Sequence, residues 1–138
     1  MSWNELLSEI ENQNSVIELG GGQKSIDRQH KKGRLTARER INQLLDANSF
    51  FLEVGRWAGF EMYSEWGGTV SGSVICGLGK VSGRTVMIIA NDATIKAGAF
   101  FTITCKKVLR AQRNSMQNHV PRVYMVVSAG VLHTHQDQ

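Results

Sequence analysis

The segment Asn91-Asp92-Ala93-Thr94-Ile95-Lys96-Ala97-Gly98 decides how the chain is organised, because it separates two different patterns. Before it lies Thr85–Ala90, an apolar run without alternation, which predicts a strand that is covered on both faces and central in a sheet. After it the apolar residues follow a helical period, and basic residues lie on the opposite face of the predicted helix. The residues on the apolar stripe are Cys105, Val108, Leu109, Gln112 and Met116.

Strand patterns flank this segment on both sides. Upstream, Val74–Val81 predicts a strand, and the step Ser82-Gly83 predicts a tight hairpin, since glycine supplies the positive φ that such turns need. Downstream, Pro121 stops the helix and Val123–Val127 predicts another buried strand. Strand, hairpin, strand, helix and strand form a ββα unit, so the predicted fold class is α/β.

The first 49 residues have a different pattern. Ser2 with Glu5, and Thr36 with Glu39, are capping boxes, in which side chains and backbone N–H groups satisfy each other at a helix start. Apolar residues at helical spacing follow each box. We therefore predict a helical arm over residues 1–49 and an α/β domain over residues 50–138.

Basic residues crowd into one part of the arm, although the net charge is only +4. Such a cluster suits nucleic acid, an anionic membrane, a phosphorylated small molecule such as a nucleotide or coenzyme A, or plain solvation. Nucleic acid is disfavoured, because no stacking aromatic interrupts the cluster and a capping box makes half of it an ordinary helix. The cluster consists of Lys24, Arg28, Lys31, Lys32, Arg34, Arg38 and Arg40.

Cysteine usage and hydropathy indicate a location. Cys76 and Cys105 lie in apolar contexts without CxxC spacing, so we expect two buried free thiols in a reducing compartment. No apolar run approaches the length of about 20 residues that spans a membrane, and the N-terminus lacks a signal-peptide core. The prediction is a cytoplasmic protein without a membrane partner.

The sequence offers few candidates for catalysis by side chains. His133 and His135 lack a third ligand at a recognisable spacing, which predicts no metal site, and neither His30 nor His119 has an evident partner for general-base work. Ser128 lacks the nucleophile elbow. Backbone chemistry remains: Ser128-Ala129-Gly130 ends a strand, where successive N–H groups can point at one oxygen. A plain tight turn is the alternative.

Several blocks, in order, resemble the carboxyltransferase (beta) subunit of biotin-dependent acyl-CoA carboxylases, the propionyl-CoA and methylcrotonyl-CoA carboxylase group. The resemblance covers nearly the whole chain. Its blocks are Gly20-Gly21-Gly22, Arg28–Ile41, Asn91–Gly98, Lys106-Lys107 and Leu109–Gln112.

This resemblance implies a crotonase-like fold of ββα units, with residues 50–138 as the first part of the carboxyltransferase N-terminal domain. It also implies transfer of CO2 from carboxybiotin to an acyl-CoA through an enolate. By the same resemblance we expect no covalently bound cofactor, because biotin would be presented by a partner, the biotin carboxylase and biotin carrier (alpha) subunit. We also expect the beta subunits to form a homo-oligomer.

Site residues follow from the same resemblance. It implies that the backbone N–H groups of Ala129 and Gly130 hold the enolate oxygen. It also implies an acyl-CoA pocket lined by Asn91, Lys96, Ala97 and Gly98. The segment Trp57–Tyr63 favours the methylcrotonyl branch of this family over the propionyl branch.

The chain departs from the family pattern in three places. Val127 replaces an aspartate, Thr102 replaces a proline, and Leu132–His135 replaces a leucine-proline stretch. It also ends at Gln138, whereas the family's subunit is several times longer, so we expect an N-terminal fragment that is inactive alone. Two alternatives stay open: a truncated product that survives as an assembly or binding surface, and a basic nucleic-acid-binding module.

Overall fold

A computed structural model describes residues 1–131. Within these residues four strands form one sheet in the order β1-β2-β3-β4: β1 (Leu52–Val54), β2 (Val74–Val81), β3 (Arg84–Asn91) and β4 (Arg122–Met125). The α-helices are α1 (Trp3–Glu18), α2 (Gln23–Lys31), α3 (Ala37–Leu44) and α4 (Thr102–Gln117). The first three helices belong to the N-terminal arm, and α4 connects β3 to β4.

The predicted ββα unit is confirmed. β2 and β3 pair antiparallel through a hairpin at Ser82 and Gly83, both of which have positive φ. The Asp46 carboxylate accepts hydrogen bonds from both turn N–H groups, at 2.6 and 2.7 Å, and so fixes the turn. β3 then pairs parallel with β4, which requires the crossover helix α4.

Alternating side chains of β3 enter two separate cores, so this strand is covered on both faces as predicted. On one face Val86, Ile88 and Ala90 pack with α3 of the arm. On the other face Met87 and Ile89 pack with α4. The arm and α4 therefore enclose the sheet from opposite sides.

The predicted face of α4 is partly wrong. Leu109 and Met116 are 53% and 72% exposed, whereas Lys107 and Ser115 are buried with Val108. The sheet side of the helix includes a lysine because its ammonium group finds backbone carbonyl oxygens there. Hydrophobic spacing alone cannot anticipate such a contact.

Two further burial predictions need correction. Cys76 is buried but Cys105 is only half-buried; both are free thiols. β4 is not a fully buried strand, because among residues 1–131 it pairs with β3 alone. Its continuation reflects this, since Val126 is 63% exposed.

Both capping boxes in the arm are confirmed. The first opens a helix of 16 residues, and this helix buries Ile17 at its C-terminal end. Helix α2 has no counterpart in the prediction, because its sequence is dominated by charged residues rather than by an apolar stripe.

Candidate functional site

The segments that follow the parallel strands β3 and β4 lie side by side. Gly98 packs against the carbonyl oxygen of Val127, and the Phe100 N–H donates to the Gly130 carbonyl oxygen at 2.9 Å. A parallel bridge between Phe100 and Val131 continues this pairing. The carboxyl ends of the two strands thus form one composite edge.

The small-residue tip after β4 is accessible. Ala129 and Gly130 are both exposed, and Gly130 has a φ of +101°. The Gly130 N–H donates to the Ser128 hydroxyl oxygen at 3.0 Å. A ligand oxygen can therefore reach the backbone of the tip, provided that the Ser128 hydroxyl gives up its hydrogen bond.

Asn91 lies beneath the tip and is fully buried. Its Oδ1 atom accepts a hydrogen bond from the Val127 N–H at 3.4 Å. The predicted pocket residue Asn91 is thus placed behind the surface, where it supports the start of the tip segment.

A cavity of about 390 Å³ opens between the arm and the loops at this edge. Lys96 and Ala97, which we predict as pocket residues, line it, whereas Asn91 and Gly98 lie outside its lining. The other lining residues come from three segments that the sequence does not bring together. They are Gly20, Gly21, Ser25, Arg28, Gln29 and Lys32 of the arm, Gly67, Gly68 and Val70, and Ala93, Thr94 and Ile95.

The cavity has a positive lining. It carries the side chains of Arg28, Lys32 and Lys96, and none of its lining residues, all of which fall within residues 1–131, is acidic. Three cations around one concave surface favour a ligand with several negative charges. Arg28 and Lys32 belong to the basic cluster, and membership of that cluster is the feature of the sequence that could have indicated them as ligand-binding residues.

Two glycines allow the arm to pack closely against the loop that follows β3. The Gly21 N–H donates to the Thr94 hydroxyl at 2.9 Å, and a Cβ atom on Gly21 would stand 2.0 Å from the Thr94 carbonyl oxygen. A Cβ on Gly20 would stand 2.4 Å from the Asp92 carboxylate. Side chains at these positions would hold the arm away, so the wall of the cavity depends on both glycines.

The rest of the basic cluster is partly structural. Arg38 makes two hydrogen bonds to Glu53, at 2.9 and 3.1 Å, and Arg40 donates to the Asn91 carbonyl oxygen at 3.1 Å. His30, for which the sequence shows no evident partner for general-base work, lies 2.9 Å from the Glu39 carboxylate. The backbone N–H of Thr36 and the proximity of His30 keep the pKa of Glu39 below its usual value.

Residues 1–131 contain neither a metal site nor a membrane-spanning helix. Within residues 1–131, no group of three or more His, Cys, Asp and Glu side chains could hold a metal ion. His133 and His135 lie outside the described residues. Over the same part of the chain, no helix combines the length and apolar character needed to cross a membrane.

Curated proteins with similar sequences are carboxylase subunits. A probable mitochondrial methylcrotonoyl-CoA carboxylase beta chain from Drosophila melanogaster is 46% identical over 125 residues, 91% of this chain and 22% of that protein. A biotin-dependent 3-methylcrotonyl-coenzyme A carboxylase beta1 subunit from Mycobacterium tuberculosis is 40% identical over 133 residues, 96% of this chain and 25% of that protein. This chain therefore spans about a quarter of these relatives.

Solved structures show the same architecture. Transcarboxylase 12S, whose crystal structure describes a hexamer with methylmalonyl-coenzyme A bound, matches 99% of this chain and 27% of its own length, with a TM-score of 0.91 and 27% identity. The beta subunit of geranyl-CoA carboxylase from P. aeruginosa matches 96% of this chain and 23% of its own length, with a TM-score of 0.73 and 27% identity.

These matches confirm the predicted crotonase-like α/β fold and the resemblance on which it was based. The sequence profile of the carboxyl transferase domain matches residues 28–138, which is most of the chain. The protein belongs to the carboxyl transferase domain family.

Proposed function

We propose that this chain provides the acyl-CoA-binding part of a carboxyltransferase that carboxylates an acyl-CoA of the methylcrotonyl or propionyl type. The observation that carries the proposal is the cavity lined by Arg28, Lys32 and Lys96, beside an exposed backbone tip. Coenzyme A combines phosphate groups with a long neutral chain that ends in the thioester. In this proposal the three cations bind the phosphates, and the neutral chain of coenzyme A extends towards the tip.

The tip is the proposed place for the thioester. There the backbone N–H groups of Ala129 and Gly130 hold the oxygen that becomes negative when the substrate forms its enolate. Donors of this kind stabilise such an oxygen by about 3 kcal/mol each in studied enzymes. In this proposal the substrate oxygen takes the place of the Ser128 hydroxyl as acceptor of the Gly130 N–H.

Asn91 has a supporting part in this proposal. Its side chain accepts from the Val127 N–H and so orients the segment that leads to the tip. Lys96 and Ala97 face the substrate, while Gly98 lets the cavity segment approach the tip closely. The four residues thus act together, two at the ligand and two behind it.

Carboxybiotin, carried by an alpha-type partner subunit, would supply the CO2, and the biotin nitrogen that releases it would take the substrate proton. This chain's residues bind and orient the acyl-CoA. Relatives described as biotin-dependent support this choice. Assembly into a homo-oligomer is part of the proposal, since a related structure is a hexamer. Because the chain spans about a quarter of its relatives, we propose that it binds acyl-CoA by itself without turning it over.

Isothermal titration of the 138-residue chain with coenzyme A tests the proposal. We expect binding that weakens with added salt, and about a tenfold loss of affinity in Lys96→Met, because one of three cations is removed. Lys80→Met removes an exposed lysine on the hairpin and serves as the matched control. Absence of binding, or equal losses in the two variants, would contradict the proposal.

The nucleic-acid alternative is tested in the same buffer. Salt-sensitive binding of duplex DNA without binding of coenzyme A would favour it. Carboxylation of methylcrotonyl-CoA or propionyl-CoA by the chain alone would show that the proposed lack of turnover is wrong.

A further inference from the structure

We infer that Lys107 is a positioning residue of the cavity: it holds the turn at residues 70–73, which continues from the Gly67-Gly68 wall, and does not touch the ligand. This inference rests on the proposed function, because it concerns binding of coenzyme A in the same cavity. It adds a residue from the opposite face of the sheet to a site that the arm and loops surround.

The ammonium group of Lys107 is fully engaged. The residue is 8% exposed, and its Nζ atom donates to the Ser71 carbonyl oxygen at 2.7 Å, to the Ser71 hydroxyl at 2.8 Å and to the Val74 carbonyl oxygen at 2.7 Å. An ammonium group has three protons, so every donor is used. Burial lowers the pKa of Lys107 to about 8.

The turn that Lys107 holds has an unfavourable backbone. Ser71, Gly72 and Ser73 have φ values of +55°, +63° and +58° in succession. Residues other than glycine adopt this region at a cost and remain there only when the surroundings hold them. The contacts of Lys107 on either side of Gly72 supply such a constraint.

This turn shapes the cavity directly. Val70, the first residue of the turn, lines the cavity together with Gly67 and Gly68. The Gly72 N–H donates to the Thr69 carbonyl oxygen at 2.8 Å and closes the turn. A change in the turn would therefore move this wall relative to the arm.

A buried carboxylate connects the same turn to the arm. The Glu53 side chain is 3% exposed and accepts from Arg38 of α3 at 2.9 Å and from the Ser71 hydroxyl at 3.4 Å. Burial would raise the pKa of Glu53, but the hydrogen bond and charge of Arg38 outweigh it and keep the pKa below its usual value. Arg56 bonds both Glu53, at 3.0 Å, and Glu18 of α1, at 3.2 Å.

The two walls of the cavity are thus joined through one network. Arg38 and Glu18 belong to the arm, whereas Ser71 belongs to the turn. Lys107 anchors the network to α4 through three short hydrogen bonds. Because Lys107 is absent from the cavity lining, its effect on a ligand must pass through the turn.

The test compares two neighbouring lysines by titration with coenzyme A. We expect Lys107→Met to raise the dissociation constant about tenfold, because the turn loses its constraint, while Lys106→Met, which removes an exposed lysine of the same helix, leaves it unchanged. The dependence of affinity on salt should be the same in Lys107→Met as in the unchanged chain, since the cations that face the ligand remain. A direct contact would weaken that dependence.

Two further variants guard against a general loss of stability. Ser71→Ala removes one acceptor of Lys107 and keeps the helix intact, and we expect a two- to threefold loss of affinity. Val108→Ala weakens the core under the same helix without touching the turn, and its folded form should bind normally. Far-ultraviolet circular dichroism verifies that each variant is folded.

Each outcome has a separate meaning. Equal affinities of Lys107→Met and Lys106→Met, or an equal loss in Val108→Ala, would overturn the role of Lys107 while the proposed function stands. If Lys107→Met does not fold, an unchanged affinity in Ser71→Ala overturns it instead. Failure of the unchanged chain to bind coenzyme A would overturn both.

Discussion

Gly98 lies so close to Val127 that a Cβ atom on Gly98 would stand 2.0 Å from the Val127 carbonyl oxygen. This contact joins the segment that lines the cavity to the segment that carries the exposed tip. The two segments follow different strands, and only the parallel pairing of β3 with β4 makes them neighbours.

Substitution of Gly98 by alanine should therefore disturb both segments. Gly98 has a φ of +77°, so Gly98→Ala adds backbone strain to the steric overlap, and we expect a loss of about 3 kcal/mol in the free energy of unfolding. Gly33→Ala is the matched control: its φ is +68° and nothing lies within 4 Å of the new Cβ. It should cost only about 1 kcal/mol, the usual cost of a left-handed alanine. Equal losses in urea denaturation would show that the contact is unimportant.

The arm should detach when Gly21 gains a side chain. Gly21→Ala places a Cβ against the Thr94 carbonyl oxygen, whereas Gly22→Ala strains the backbone, with a φ of +88°, but meets nothing within 4 Å. We expect trypsin to cleave the basic cluster of the arm several times faster in Gly21→Ala than in Gly22→Ala, because undocked backbone is accessible to proteases. Coenzyme A affinity should fall in the first variant only. Equal cleavage rates would contradict the docking role of Gly21.

Stability should rise with pH above about 8 because of Lys107. The pKa of Lys107 is lowered from 10.5 to about 8 by burial, so between these values the unfolded chain binds a proton that the folded chain has lost. Unfolding then becomes less favourable as pH increases. Urea denaturation from pH 7 to 10 measures this rise, and Lys107→Met should abolish it.

Cys76 has the opposite effect at higher pH. Burial raises the pKa of its thiol from 9 to about 11, so between these values the folded chain keeps a proton that the unfolded chain loses. Stability contributed by Cys76 therefore falls over that range. Cys76→Ala should extend the rise caused by Lys107, and an unchanged pH profile would show that the thiol does not titrate in this way.

Val127 is a place where a carboxylate should be tolerated. It lines a second cavity, of about 290 Å³, with Arg34 and Arg40, and the buried Nε atom of Arg40 has no hydrogen-bond partner within residues 1–131. We expect Val127→Asp to be about 1 kcal/mol more stable than Val127→Asn at pH 7. This advantage should disappear near pH 3, where the carboxyl group is protonated. An advantage that persists at pH 3 would contradict an ionic cause.

The residues that line the cavity could be identified only in part from sequence patterns. Of its lining residues, Lys96 and Ala97 lie in a block that resembles a family, and Arg28 and Lys32 lie in the basic cluster. Nothing along the chain distinguished those two residues from Arg38 and Arg40, which bond to Glu53 and to the Asn91 backbone instead. The difference depends on which side of each arm helix meets the sheet.

Local features were set by the sequence itself: the capping boxes, the hairpin at Ser82 and Gly83, and the alternation of strand and helix each depend on residues a few positions apart. Tertiary structure alone decided that Asn91 is buried, that Lys107 faces the sheet, and that Gly21 meets Thr94 across 73 positions. Such contacts arise when whole elements pack together. The way elements pack depends on the fit between their complete surfaces, and no periodic pattern of neighbouring residues encodes that fit.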